Sequence, residues 1–351
     1  MNNCDVNNKF NCSPYVKYIF LVFVMGLALM SCSQDVRVEN DDFFSSAVLL
    51  VEDDYFSKVI DRNTSKVITN DMFESTPEKI QSKISNVYTY QGELYFLLKN
   101  ENKIKVYKKD NFEFITEYDF NGIGQIEDVV FPNVSNFYVS LSDKDQVAVV
   151  DRVNKKISNF LISVKANPNK LFTIEKLVYV ACENSIDIIR TGTKEVIESI
   201  ALDGKPLLLS TNLDKNALII FTKEESTYQM NIYNAATFQF TNKVKLESEF
   251  LTSADEMTLN QIAIVNNEKE YSWLGTSVGL FRIDLRNLGV YKFMSSRKEN
   301  ILNIYFEPIS DKILMLSSRN QLKDYIHADS KTGEYTATFP LPDNSNLIYP
   351  L

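Results

Sequence analysis

The sequence predicts an all-β chain, a seven-bladed β-propeller with four-stranded blades, on three observations. From residue 47 onward, short runs rich in Val, Ile, Leu, Tyr and Phe alternate with polar turn clusters, and no stretch sustains a 3.6-residue apolar period. A phrase of two apolar residues, a polar residue and a short polar turn recurs, anchored at Asp61, Lys108, Asp151, Arg190, Asn234, Asp284 and Asp329. The chain then ends in a strand-like run with no partner of its own, Asn346-Leu347-Ile348-Tyr349-Pro350-Leu351.

The anchors are spaced at about 45 residues, the length of a propeller blade. Seven anchors imply seven blades. Two packed β-sandwiches, the alternative all-β arrangement, would not give so even a period. The second unit shows the four-strand division: strands over 84–90, 94–98, 103–107 and 112–118, with turns at Gln91-Gly92-Glu93, 100–102 and 109–111. The first unit, with strands over 47–52, 59–61 and 66–69, lacks an innermost strand. Residues 346–351 are expected to supply it by pairing with 47–52, because an unpaired edge is costly and a ring must close. With 34 Asn against 10 Gly, the hairpins are expected to place Asn at their left-handed positions.

The amino terminus is a targeting segment. Residues 18–30 form an uncharged apolar run of thirteen preceded by Lys9 and Lys17, an h-region too short for a stable membrane span. Leu29-Met30-Ser31-Cys32 follows and resembles the lipobox of bacterial lipoproteins, in which the Cys is lipidated and becomes the first residue. The expected division is a lipoprotein signal peptide over 1–31, a lipidated flexible tether over 32–46 and the propeller over 47–351. Cys4 and Cys12 leave with the signal, so Cys182 is the one free thiol and is read as a small buried core residue. The full chain carries a net charge of −9, which disfavours a nucleic-acid partner. The acidic stretch after Cys32 resembles the signal that displays Bacteroidota lipoproteins on the outer face of the outer membrane.

Tyr138-Val139-Ser140 and Tyr179-Val180-Ala181-Cys182 look like degenerate forms of the Tyr-Val-Thr-Asn phrase of YVTN-type β-propellers. Val147–Asp151 and Ile186–Ile189 stand where that family has its following strand, and Asn167-Pro168 and Lys205-Pro206 stand where it has the Pro beginning an inner strand. Thr69-Asn70-Asp71-Met72-Phe73, residues 87–90 and Gly92-Glu93-Leu94-Tyr95 are similar to lipid-anchored propellers of Bacteroidota, which include surface proteins that capture vitamin B12 for a TonB-dependent transporter. The Asn-Glu-Gly such proteins often carry on the first strand is here Glu52-Asp53-Asp54. The resemblance implies a surface lipoprotein of the outer membrane that binds a bulky nutrient, a corrinoid or siderophore, beside a TonB-dependent receptor. The alternative is a propeller that binds a protein or glycan in adhesion.

The catalytic inventory is thin. His327 has no second His for a triad or a histidine metal cluster. Glu52-Asp53-Asp54 offers hard oxygens without EF-hand spacing and reads as a solvated acidic loop. Gly122-Ile123-Gly124 lacks a third Gly and opens no helix. Quinoprotein propellers place a Trp in nearly every blade, whereas Trp273 is alone here, and the Ser-x-Asp-x-Gly-x-Thr-Trp box of sialidases is missing. The expectation is therefore that the protein is not an enzyme and uses no cofactor or metal. Ligand contacts are expected on the face shared by the loops that join successive blades and those that join second to third strands. Tyr55, Phe56, Gln81, Gln125, Asn167, Lys205, Tyr228 and Arg297 are placed there, the aromatics to stack on a flat ligand and the amides to read its polar edge.

Overall fold

Long apolar runs such as Ala-Val-Leu-Leu-Val at 47–51 have no polar face, so such a strand needs cover on both sides. A computed structural model of the protein provides that cover. It describes residues 46–351 except 75, 213, 226, 246–258, 265–270, 285–289, 293–298 and 308–309. The expected signal segment, Cys32, the expected tether before residue 46 and Arg297 lie outside the described residues.

The strands run in chain order as follows. The first group is β1 (Ala47–Glu52), β2 (Phe56–Asp61) and β3 (Val67–Thr69); then β4 (Asn86–Tyr90), β5 (Glu93–Leu98), β6 (Lys103–Lys108) and β7 (Phe114–Asp119). Next come β8 (Ile126–Val130), β9 (Asn136–Leu141), β10 (Gln146–Asp151) and β11 (Lys156–Ser163), then β12 (Lys170–Ile174), β13 (Leu177–Ala181), β14 (Ser185–Arg190) and β15 (Glu195–Ala201). They are followed by β16 (Lys205–Thr211), β17 (Ala217–Glu224), β18 (Thr227–Asn234) and β19 (Phe240–Lys245), then β20 (Leu259–Ile264), β21 (Tyr271–Thr276), β22 (Gly279–Asp284) and β23 (Val290–Lys292). The last are β24 (Asn300–Glu307), β25 (Lys312–Arg319), β26 (Leu322–Asp329), β27 (Tyr335–Leu341) and β28 (Ser345–Pro350).

The chain is a β-propeller with four-stranded blades. Among the described residues the strands form seven four-stranded antiparallel sheets, six of them consecutive in sequence and one ordered β28-β1-β2-β3. In that one the last strand pairs with the first, Val48 opposite Pro350, Leu50 opposite Ile348 and Val51 opposite Leu347. A one-residue shift relative to the expected 346–351 brings Ser345 into the ladder opposite Glu52.

Alternate side chains of each second strand enter the cores on its two sides, which explains the continuous apolar runs. On β5, Leu94, Phe96 and Leu98 pack with Ala47, Leu49 and Val51 of β1, whereas Tyr95 and Leu97 pack with Phe137, Val139 and Leu141 of β9. On β1 the opposite face, Val48 and Leu50, joins Leu314, Leu316, Tyr325 and Ile348 between the last sheet and the first. Outer strands bury little, and β19 is exposed at five of its six positions. Cys182 is a fully buried thiol in the core shared by β9 and β13, and burial pushes its pKa up to about 12.

The recurring phrase is the turn from third to fourth strand. The residue four places after the anchor is left-handed at Ser65, Phe112, Lys155, Lys194, Phe238 and Gly333. Its N–H donates to the anchor carbonyl at Asp61 (2.9 Å), Lys108 (3.0 Å), Arg190 (2.8 Å), Asn234 (2.8 Å) and Asp329 (2.8 Å). Where the anchor is Asp or Asn its side chain also caps the turn: Asp61 Oδ1 accepts from the N–H groups of Asn63 and Thr64, and Asn234 Oδ1 from those of Ala236 and Thr237. The expected use of Asn at left-handed positions is corrected here. Of seventeen non-glycine residues with positive φ among those described, only Asn102, Asn167 and Asn320 are Asn. Asn111, Asn133, Asn212 and Asn234 instead hold the turns through their side-chain oxygens, an acceptor role that leaves the left-handed position to another residue.

Candidate functional site

Loops from fourth to first strands and from second to third strands share one face, and most of the expected ligand residues lie on it. Tyr55 sits in the turn after β1 and is 43% exposed. Phe56 is the first residue of β2 and half-buried, with the Lys58 ammonium 5.5 Å from its ring centroid. Gln81, Gln125 and Asn167 are exposed on loops leading into β4, β8 and β12, and Lys205 is exposed at the start of β16. These six are spread over the first five sheets. Tyr228 is a correction. As the second residue of β18 it points into the core with Phe221, Met230 and Leu274 and is only 4% exposed, because strand alternation turns it inward.

The loops on this face are held by carboxylates. Asp143 Oδ1 accepts from Gln125 N–H at 2.6 Å, Asp145 Oδ1 from Asn167 N–H at 2.8 Å, and Asp187 Oδ2 from Lys165 N–H at 2.7 Å. Asn102 Oδ1 accepts from Ile126 N–H at 3.2 Å. Gly204 needs its missing side chain, since a Cβ there would stand 2.5 Å from the Lys223 carbonyl oxygen. Each tie joins a fourth-to-first loop to a second-to-third loop or its flanking strand. The face is thus ordered before any ligand arrives.

The acidic triplet divides by burial. Glu52 is buried and paired with Lys58 at 2.6 Å, while Asp54 is partly exposed and paired with Lys83 at 3.2 Å. Asp53 and Asp54 are both left-handed, and so are Asn320 and Gln321 in the matching turn of the last sheet. No group of three or more His, Cys, Asp or Glu among the described residues is arranged to hold a metal ion.

Beneath the loops, side chains tie neighbouring inner strands. The Tyr88 hydroxyl on β4 donates to Asp128 Oδ1 on β8, and Asp128 Oδ2 accepts from Leu171 N–H on β12 at 2.9 Å. Thr89 N–H donates to the Tyr349 hydroxyl on β28 at 2.8 Å, and Ile348 N–H donates to Asn303 Oδ1 on β24 at 3.4 Å. Burial and then the Asp128 carboxylate push the Tyr88 phenol well above its ordinary value, so it is the donor at neutral pH. These residues escaped the sequence reading. The signal was a charge at Asp128 inside Ile-Glu-Asp-Val-Val, where an acidic side chain 7% exposed needs dedicated donors.

No family model matches the chain, and no curated protein matches it. Solved structures do. The chain is similar to a hydrazine synthase of Kuenenia stuttgartiensis at 16% identity and a TM-score of 0.57, over 67% of this chain and 73% of that one. It is similar to a dihydro-heme d1 dehydrogenase, NirN, in complex with DHE, at 12% identity and a TM-score of 0.62, over 92% and 78%. A quinoprotein alcohol dehydrogenase-like protein of Bacteroides thetaiotaomicron matches at 10% identity and a TM-score of 0.65, over 87% and 78%. At these identities the likeness is one of fold.

It corrects the expectation that the protein is not an enzyme. That expectation rested on missing marks of two propeller enzyme groups, one of them a Trp in nearly every blade, and neighbours of this fold carry the names of enzymes. A residue inventory tests particular chemistries, while a propeller scaffold can host others on its loops. Trp273 itself is structural: it is fully buried and its Nε1–H donates to the Ser330 carbonyl at 2.8 Å.

Proposed function

We propose that the chain is a seven-bladed ring closed by its C-terminal strand, anchored through lipidated Cys32 at the outer membrane surface. On this reading it binds a bulky, partly planar ligand of the corrinoid or siderophore class beside a TonB-dependent transporter. The observation that carries the ligand reading is the pre-ordered loop face, where carboxylates fix the backbones that present Gln125 and Asn167 and where Tyr55 stands exposed. Pre-ordering lowers the entropic cost of binding, and a half-free aromatic ring offers stacking area to a flat ligand. A neighbour of the same fold is named for a dihydro-heme, also a large flat macrocycle. The lipid anchor is supported by the apolar run over 18–30 ending at Leu29-Met30-Ser31-Cys32.

Titration calorimetry with cobalamin, cobinamide and a panel of ferric siderophores tests the ligand. One of them is expected to bind, and Tyr55→Ala to weaken it by about 1–2 kcal/mol without changing the melting temperature. Mass spectrometry of the recovered ligand separates capture from turnover. Silence across the panel together with retention of a protein or glycan on immobilised protein would replace this reading with adhesion. Arg297→Ala remains a second probe of the same face, whereas Tyr228→Ala would perturb the core.

Mass spectrometry of the mature protein is expected to find acyl groups on Cys32, and Cys32→Ala to leave the membrane fraction, since stable anchoring needs more than one acyl chain. A mature terminus elsewhere, with Cys32 unmodified, would refute the anchor and leave the ligand reading standing.

A further inference from the structure

The seam between the last sheet and the first contains an unusual concentration of buried polarity. Arg62, just after β2, reaches across it to Glu307 at the end of β24, 3.3 Å from guanidinium to carboxylate, with side chains 10% and 5% exposed. Glu307 also accepts from Ser310 N–H at 2.6 Å. His327 on β26 is 2% exposed and stacks edge-on against Tyr325 at 4.8 Å and Phe339 at 5.5 Å. A hydrogen bond joins His327 to the Arg62 backbone across the seam, and the imidazole Nε2 has no hydrogen-bond partner. Arg62 Nε and the Tyr325 hydroxyl, both buried, are unpartnered as well.

We propose that this seam is an acid-released latch on the ring, with His327 as its sensor. The groups that face His327 are Arg62 from the first sheet, Lys312 at the start of β25 and Tyr325 on its own strand, with Glu307 and Asp61 around Tyr325. Protonation would set a third cation among Arg62 and Lys312 in a water-poor seam. The nearby carboxylate of Glu307 is already engaged by Arg62 and Ser310. The position in the fold gives the device its effect, because Ile348 of β28 packs in this seam with Leu314, Leu316 and Tyr325, and the ladder of β28 to β1 joins the last strand to the first. Opening here separates the first sheet from the last without unpairing any hairpin in the other sheets.

Burial, then Lys312, lower the His327 pKa from 6.5 to about 4. The sign follows: the unfolded chain binds the proton first, so the stabilising contribution is complete above pH 6.5 and is lost as pH falls toward 4. His327 is the single histidine of the chain, so no second imidazole contributes to this window.

Full-length protein in detergent micelles is compared with His327→Asn, which keeps a donor at the Nδ1 position and removes the basic nitrogen; His327→Gln guards against a packing defect in the first variant. From pH 7 to pH 5 the wild type should lose roughly 20-fold in folding equilibrium constant more than either variant. Hydrogen exchange, corrected for intrinsic rates, should rise first in 345–350 and 47–52, ahead of the ladders of β8–β11 and β12–β15. An imidazole titrating near 6.5 by NMR, equal pH dependence in wild type and both variants, or exchange rising evenly over all sheets would each overturn the latch.

Discussion

Truncation after Asp343 is expected to abolish the native fold or lower the melting temperature steeply. It removes β28 and the residue after it, in which Leu347, Ile348 and Leu351 are buried at 5%, 0% and 7% exposure. At about 1.5–3 kcal/mol for each such side chain, the apolar loss alone is about 5 kcal/mol or more, a large part of a domain's net stability. The truncation also bares the edge of β1, whose residues 47–51 are apolar throughout, and an open apolar edge invites pairing with other chains. Thermal unfolding and light scattering of the truncated protein check this. A synthetic peptide of residues 344–351 added in trans should restore part of the melting temperature, which separates a missing strand from a general defect. Unchanged melting without β28 would refute closure at this seam.

The spare terminal strand was legible because a ring must match every strand edge: the first unit had three strands to offer and the chain's end had one. The blade period was legible for a different reason. Its phrase is a turn in which an anchor carbonyl accepts from the residue four places on, and that geometry repeats whether the left-handed position holds Lys194, Phe238 or Gly333. Backbone geometry thus fixed the spacing while the side chains drifted, and reading Asn as the left-handed residue mistook an acceptor for a conformational role. Tyr228 was misplaced because a loop assignment ignores which side of a strand each residue takes; two positions into β18 it faces the core. The carboxylates that order the loop face were hidden because Asp143, Asp145 and Asp187 act on loops 18 or more residues away in sequence. Only the folded chain brings such partners together.

Asp128→Ala is expected to cost roughly 3–5 kcal/mol, because it strips the acceptor from two donors at once, the part-buried Tyr88 hydroxyl and the buried Leu171 N–H. The loss falls on three inner strands, β4, β8 and β12, rather than on one. Tyr88→Phe removes a single donor and leaves Asp128 with Leu171, so it should cost less, about 1–2 kcal/mol. The double variant should fall short of the sum, since both substitutions delete the same hydrogen bond. Urea unfolding at constant m-value measures all three. The loop face proposed to bind ligand should respond as well, because β8 and β12 begin immediately beyond the loops carrying Gln125 and Asn167. A drop in affinity with Asp128→Ala, recovered in part by Asp128→Asn, would tie the inner-strand belt to the order of that face. An Asp128→Ala protein within about 1 kcal/mol of wild type would mean that water replaces the carboxylate at little cost.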